Sequence, residues 1–174
     1  MFCDVRRLDL HGGSLRVRGS ARPSAEGRAR VEALLAEERQ LGMDRLEWYR
    51  AFSQRVSELG EALRRELTAL KADGKRIVAY GASAKGSTLL NVFGIGPETL
   101  DYVVDRSPAK QGWRTPGTHL EIHPPGRLLE DQPDYALLLT WNFAEEIRTQ
   151  QAEWCHGGGE FIVPVPTVHR LGAP

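Results

Sequence analysis

Apolar and polar positions fall into two textures that meet near Gly74. In the first texture, apolar side chains recur every three or four residues. Val31, Leu34, Leu35 and Leu41 form one series; Leu46, Tyr49, Phe52, Val56, Leu59, Leu63, Leu67 and Leu70 form a second beyond Gly42. This spacing predicts two amphipathic helices, one over 24–41 and one from about Asp44 to the Asp73-Gly74 stop. Asp44 followed by Glu47 matches a capping box for the second. The long stripe reads as a packing surface rather than a cofactor box. Ahead of the helices, Val5, Leu8 and Leu10, then Leu15 and Val17, alternate on either side of Gly12-Gly13 and predict a two-stranded ribbon. A lone ribbon is marginal in water, so it is expected to be the edge of a sheet supplied by a preceding domain, with 19–23 as a linker.

After Gly74 short apolar runs alternate with helical stretches. Strands are expected over 76–80, 100–105, 120–122, 135–140 and 160–165. Between them lie a tight loop at 81–86, a helix over 87–93, a turn or helix at 124–131 and a helix over 143–154. Strands alternating with helices at this spacing require right-handed crossovers. The expected fold is α/β: a Rossmann-like, doubly wound, mostly parallel sheet preceded by a helical segment and the β-ribbon. The expected division is 1–22, 23–73 and 74–174.

Composition narrows the function. Hydrophobic residues make up 41% and charged residues 26% of the chain, ordinary for a globular protein. No apolar run approaches the ~20 residues of a membrane span, and no basic-then-apolar leader opens the sequence. Cys3 and Cys155 offer neither a zinc quartet nor a disulfide framework, so a reducing, cytoplasmic setting and no metal are expected. Basic and acidic side chains balance at 23 each, which gives no global field for nucleic acid. The balance is uneven along the chain: residues 1–76 carry 16 basic and 12 acidic side chains.

The sharpest local signal is Gly81-Ala82-Ser83-Ala84-Lys85-Gly86, between a predicted strand and a predicted helix. Free amides at a helix start suit a phosphate. The segment departs from a P-loop, because the lysine precedes the second glycine. It departs from the nucleophile elbow at Lys85, and from the dinucleotide fingerprint at Ser83, where glycine is usual. A Ser83 hydroxyl at the point of closest approach could donate to a phosphate oxygen, and Lys85 adds a charge. Asp105, 24 positions after Gly81, stands where such folds bind a ribose hydroxyl. The competing reading is that Gly81 and Gly86 serve only a tight turn and close packing. Arg106, Lys110, Gln111 and Trp113 after one strand, and Trp141-Asn142 after another, are expected to share the same crevice. Trp141 can equally be a lid on the core. The five histidines show no metal spacing; His11, in the turn His11-Gly12-Gly13-Ser14, is the one that could face a substrate.

The residues Tyr80-Gly81-Ala82-Ser83-Ala84-Lys85-Gly86-Ser87-Thr88-Leu89-Leu90-Asn91 resemble the signature of the C-terminal domain of sugar-nucleotide C-methyltransferases. The resemblance continues through Val104 to Gly112, Thr115 to His119, Leu139 to Ala144 and Gly158 to Pro166, and His11 to Arg16 is similar to the segment closing the family's methyltransferase domain. It implies one part of a three-part enzyme. A zinc module and a domain binding S-adenosylmethionine lie elsewhere, as does the Glu-His pair linked to proton abstraction, so this chain is expected to bind no cofactor and not to catalyse alone. The resemblance further implies a dTDP-type nucleotide sugar as ligand, with Ser83 and Lys85, beside Gly81, Ala84 and Gly86, on its diphosphate. Asp105, Lys110 and Gln111 would meet nucleotide or sugar hydroxyls, and Trp141 with Asn142 the pocket wall. A preceding or separate methyltransferase domain would be the partner, and His11 could approach the sugar. The alternative is a stand-alone module that binds a dinucleotide or an acyl-CoA without methyl transfer.

Overall fold

The computed structural model describes residues 2–10, 12–22 and 24–174. Two compact units divide the chain, Met1–Val56 and Ser57–Pro174. In the first, strands β1 (Phe2–Leu8) and β2 (Ser14–Gly19) pair antiparallel with Val5 opposite Val17. They form a sheet of their own, and helix α1 (Ala25–Gln40) packs on it. The Ser24 hydroxyl accepts from Gly27 N and caps α1. Gly27 sits against the Cys3 carbonyl, where a larger side chain would collide. Arg30 Nε donates to Asp4 at 2.7 Å and holds that carboxyl below its ordinary range. Helix α2 (Leu46–Ala72) starts two residues later than expected, and Asp44 lies in the turn before it, 4.0 Å from Arg45.

The second unit is built on a six-stranded sheet of β3 (Ile77–Tyr80), β4 (Val103–Val104), β5 (Ile122–His123), β6 (Tyr135–Leu138), β7 (Glu160–Val163) and β8 (His169–Leu171). Their order is β5-β4-β3-β6-β7-β8, with β8 antiparallel to β7 and every other pair parallel. Successive strands are laid outward from β3 in both directions, so the winding reverses between β3 and β6. This is the Rossmann-like doubly wound arrangement; in open sheets of this kind ligands bind beyond the carboxyl ends of the strands at the reversal.

Both faces of the sheet are covered, which explains why its strands read as continuous apolar runs rather than alternating ones. One face carries Val78, Tyr80, Val104, Ala136 and Leu138 against Leu128 of α4 (Arg127–Asp131), Ile147 of α5 (Ala144–Gln150), and Trp154 and Cys155 of α6 (Ala152–His156). Trp154 is fully buried and donates to the Pro133 carbonyl at 3.1 Å. The other face carries α3 (Ala84–Phe93), brought against Leu139 at Gly86, and the last turns of α2, brought against Phe93 at Gly60. Leu63, Leu67 and Leu70 are the part of the long stripe that is buried.

Three boundaries differ from the sequence expectation. Helix α3 begins at Ala84 rather than Ser87, because Ser83 caps it. The single helix expected over 143–154 is a 3-10 turn (Trp141–Phe143) followed by two short helices. The last strand stops at Val163, and the chain returns as β8 beyond two prolines. That edge is fastened by Arg170, which pairs with Glu66, stacks on Tyr135 and donates to its hydroxyl.

Candidate functional site

The carboxyl end of β3 runs into Gly81, whose φ of +94° turns the chain sharply. A Cβ there would lie 2.5 Å from Thr140 Cγ2 in the turn just beyond β6, so glycine is needed for space as well as for conformation. Gly86 is needed for space alone: its Cβ would stand 2.6 Å from that of Leu139. The two glycines thus press the corner and α3 onto β6.

The amides of the corner are not equivalent. Ala82 N donates to Asp105 Oδ2 at 2.7 Å, and Ser83 N to the Gly81 carbonyl at 2.8 Å. Gly86 N donates to Ser83 Oγ, and Ser87 N to the Ser83 carbonyl. Ala84 N and Lys85 N, the first two of α3, have no acceptor among the described residues. They are therefore the open donors at the positive end of this ten-residue helix. The Ser83 hydroxyl, expected to reach a phosphate, donates instead to the Leu139 carbonyl at 3.1 Å while it caps Gly86 N. Its hydrogen-bonding capacity toward phosphate is engaged inside the fold, because the capped amide and the Leu139 carbonyl lie on its two sides.

Lys85 lies half-buried with its ammonium 4.1 Å from the centre of the Trp141 ring, a cation–π contact. Burial holds its pKa below the ordinary lysine value. Asn142 follows, half-buried, with no side-chain partner among the described residues. The structure therefore brings together Ala84, Lys85 and the Trp141 segment expected on the opposing wall.

Asp105, Lys110 and Gln111 form a separate set. Asp105 is 7% exposed and accepts from Ala82 N, from Ser107 N at 2.8 Å and from Lys110 Nζ at 3.2 Å. Lys110 also donates to the Ala82 carbonyl at 2.8 Å, and Gln111 to the Asp105 carbonyl at 2.9 Å. These three residues clasp the loop after β4 to the glycine corner. Trp113, expected in the crevice, is 71% exposed on the surface of that loop. His11 lies outside the described residues.

Between the ends of β3, β4 and β6 opens a cleft of about 240 Å³. Its walls are Tyr80, Gly81, Asp105, Arg106, Thr140, Phe143, Glu146 and Ile147. The sequence reading missed Tyr80, Thr140, Phe143, Glu146 and Ile147 as site residues. The signal was the position of Thr140, in the turn just beyond β6 and packed against Gly81 just beyond β3. Burial pushes the Tyr80 phenol above its ordinary pKa. Among the described residues no group of His, Cys, Asp or Glu is placed to hold a metal ion, and no helix is long and apolar enough to cross a membrane.

The C-methyltransferase NovU of Streptomyces niveus is 40% identical over 173 residues, which is 98% of this chain and 41% of the relative. The chain thus spans about two fifths of the length of that curated relative. The family model described as the C-methyltransferase C-terminal domain matches residues 9–166, from the ribbon through the glycine corner and its crevice to the end of β7. Matched over nearly its whole length, the chain belongs to the C-methyltransferase C-terminal domain family.

Proposed function

We propose that this chain serves a sugar C-methyltransferase by holding its substrate, a dTDP-type nucleotide sugar, through the diphosphate. The observation that carries the proposal is the pair of open amides at Ala84 and Lys85, flanked by the Lys85 ammonium. An anion at that point meets two N–H donors, the positive end of α3 and a full charge. Gly81 and Gly86 shape the corner, and Trp141 with Asn142 forms its far wall. Asp105, Lys110 and Gln111, expected to contact ligand hydroxyls, act in this reading by fixing the loop.

S-adenosylmethionine is the methyl donor that such an enzyme implies. The residues here do not fit it. Recognition of the donor's ribose at this fold position needs an accessible carboxylate at the end of β4. Asp105, which stands there, is buried under three donors. The donor is therefore assigned to a preceding or separate methyltransferase domain, and methyl transfer is not assigned to this chain alone. Methylation of a carbon beside a keto group requires removal of a proton, then attack of the enolate on the methyl group. A domain that grips the distant diphosphate contributes binding energy and orientation to that step without touching the reacting carbon.

The test is calorimetric titration of the chain with a dTDP-sugar, NAD and S-adenosylmethionine. Binding of the dTDP-sugar with silence from the other two is expected. Tight binding of NAD alone would favour a dinucleotide module, and silence throughout would overturn the reading.

A further inference from the structure

We infer that the first unit, Met1–Val56, pairs with the same unit of a second copy of this chain, each copy seating the start of its α2 in a groove between the ribbon and α1 of the other. This surface stands apart from the glycine corner, and the pairing holds whether or not the corner binds a diphosphate.

The unit has almost no core of its own. Among the described residues Val5 is its one buried hydrophobic side chain, whereas nine large hydrophobic side chains between Phe2 and Phe52 stand 43–69% exposed. Apolar exposure on this scale marks an interface.

Two apolar surfaces stand out within it, and they differ in charge. The first is an open groove of about 370 Å³, room for on the order of a dozen waters. Leu8 and Leu15 of the ribbon, Leu34 of α1, and Leu41 and Met43 of the turn after it line this groove. Asp9, Glu37 and Glu38 line it too, against a single arginine among the described residues, Arg7, which Glu37 already holds at 2.7 Å. The groove is therefore apolar with an acidic rim.

The second surface is the start of α2. Leu46, Tyr49 and Phe52, three residues apart, continue the stripe whose far end is buried as Leu63, Leu67 and Leu70, yet each is more than half exposed. The Trp48 ring stacks on Phe52 at 6.2 Å and meets Tyr49 edge-on at 5.1 Å. The aromatic set thus holds its shape before a partner arrives, which lowers the entropy cost of docking. Arg45, Arg50 and Arg55 accompany it, and Glu47 is the one acidic residue in 45–56. Trp, Tyr and Arg are the side chains on which interface energy concentrates.

Charge selects the occupant. Two α2 segments laid on each other would set arginines against arginines, whereas α2 in the groove sets arginines against carboxylates and apolar side chains against apolar walls. Residues 46–56 of the same copy do not line the groove, so the helix must come from another. A two-fold axis lets each copy supply both groove and helix, and this closes the assembly at two. A bilayer would cover the aromatic face and leave the acidic groove unmatched.

The test is sedimentation velocity of the full chain over about 1–100 μM, a range that brackets a micromolar association. Wild type should pass from monomer to dimer. Phe52→Glu places a carboxylate on the helix face and Leu41→Lys an ammonium in the groove, so each variant alone should weaken association by about tenfold or more. Mixed in equal amounts, the two should associate again. One seat then joins an unaltered helix to an unaltered groove, and the two introduced charges meet with opposite sign at the other. Recovery in the mixture also shows that both variants fold. Wild type that stays monomeric throughout, as it would if the remainder of a longer enzyme covered this face, would overturn the inference. So would single variants that pair like wild type, or a mixture that stays monomeric.

Discussion

The two sides of the Gly81–Gly86 corner are built from similar residues and are arranged oppositely. On the side facing the loop after β4, each oxygen of the Asp105 carboxylate accepts from a backbone amide, and Lys110 and Gln111 donate into the same set. On the side where α3 begins, Ala84 N and Lys85 N are open and the Lys85 ammonium rests on Trp141. Lys85 and Lys110 are both lysines beside the corner, yet Lys110 is bonded to Asp105 and the Ala82 carbonyl whereas Lys85 rests on the Trp141 ring. In the proposed reading, hydrogen-bond saturation and not residue type separates the parts that shape the site from the parts that bind.

The largest expected effect tests the frame common to both sides. Gly81→Ala forces a side chain onto a φ of +94° and into Thr140, and should cost about 4 kcal/mol of stability in urea denaturation. Asp105→Ala should follow at about 3 kcal/mol, because it strips two part-buried amides of their acceptor. If Asp105→Ala left stability intact and abolished ligand binding, the assignment of the saturated side to the fold would be wrong.

Lys85→Ala should behave in the reverse manner, with dTDP affinity reduced by about 1–3 kcal/mol and the melting temperature nearly unchanged. The smallest effect is in pH. Burial lowers the Lys85 pKa, so the free protein loses this charge below the ordinary lysine value of 10.5. If the ammonium holds the diphosphate as proposed, affinity for dTDP should hold near neutrality and decline on the alkaline side earlier than an exposed lysine would give. Lys85→Arg, charged to a pH of about 12 or above, should flatten that decline.

Much of the fold was legible in the sequence, because strands buried on both faces and helices with one apolar stripe leave strong periodic signals. Val103-Val104 and the run Tyr135 to Leu138 stand out for that reason. Strand β8 did not, since His169-Arg170-Leu171 is a polar edge fastened by ion pairs and carries no apolar alternation. The corner was legible from its glycines, whereas the division of labour within it was not. That Ser83 bonds to Leu139 and Asp105 to Ala82 depends on contacts 56 and 23 positions apart, which no local pattern encodes. The cleft was missed because Tyr80 and Thr140 read as ordinary strand residues, and only the pairing of β3 with β6 brings the ends of these two segments together.

Amide resonances of the chain, followed during titration with dTDP, test the claim most directly. The account predicts that Ala84 N–H and Lys85 N–H move downfield in a saturable manner, while Ala82 and Gly86, already bonded to Asp105 and Ser83, move far less. Large shifts at Ala82 and Gly86 with Ala84 and Lys85 unmoved would contradict it.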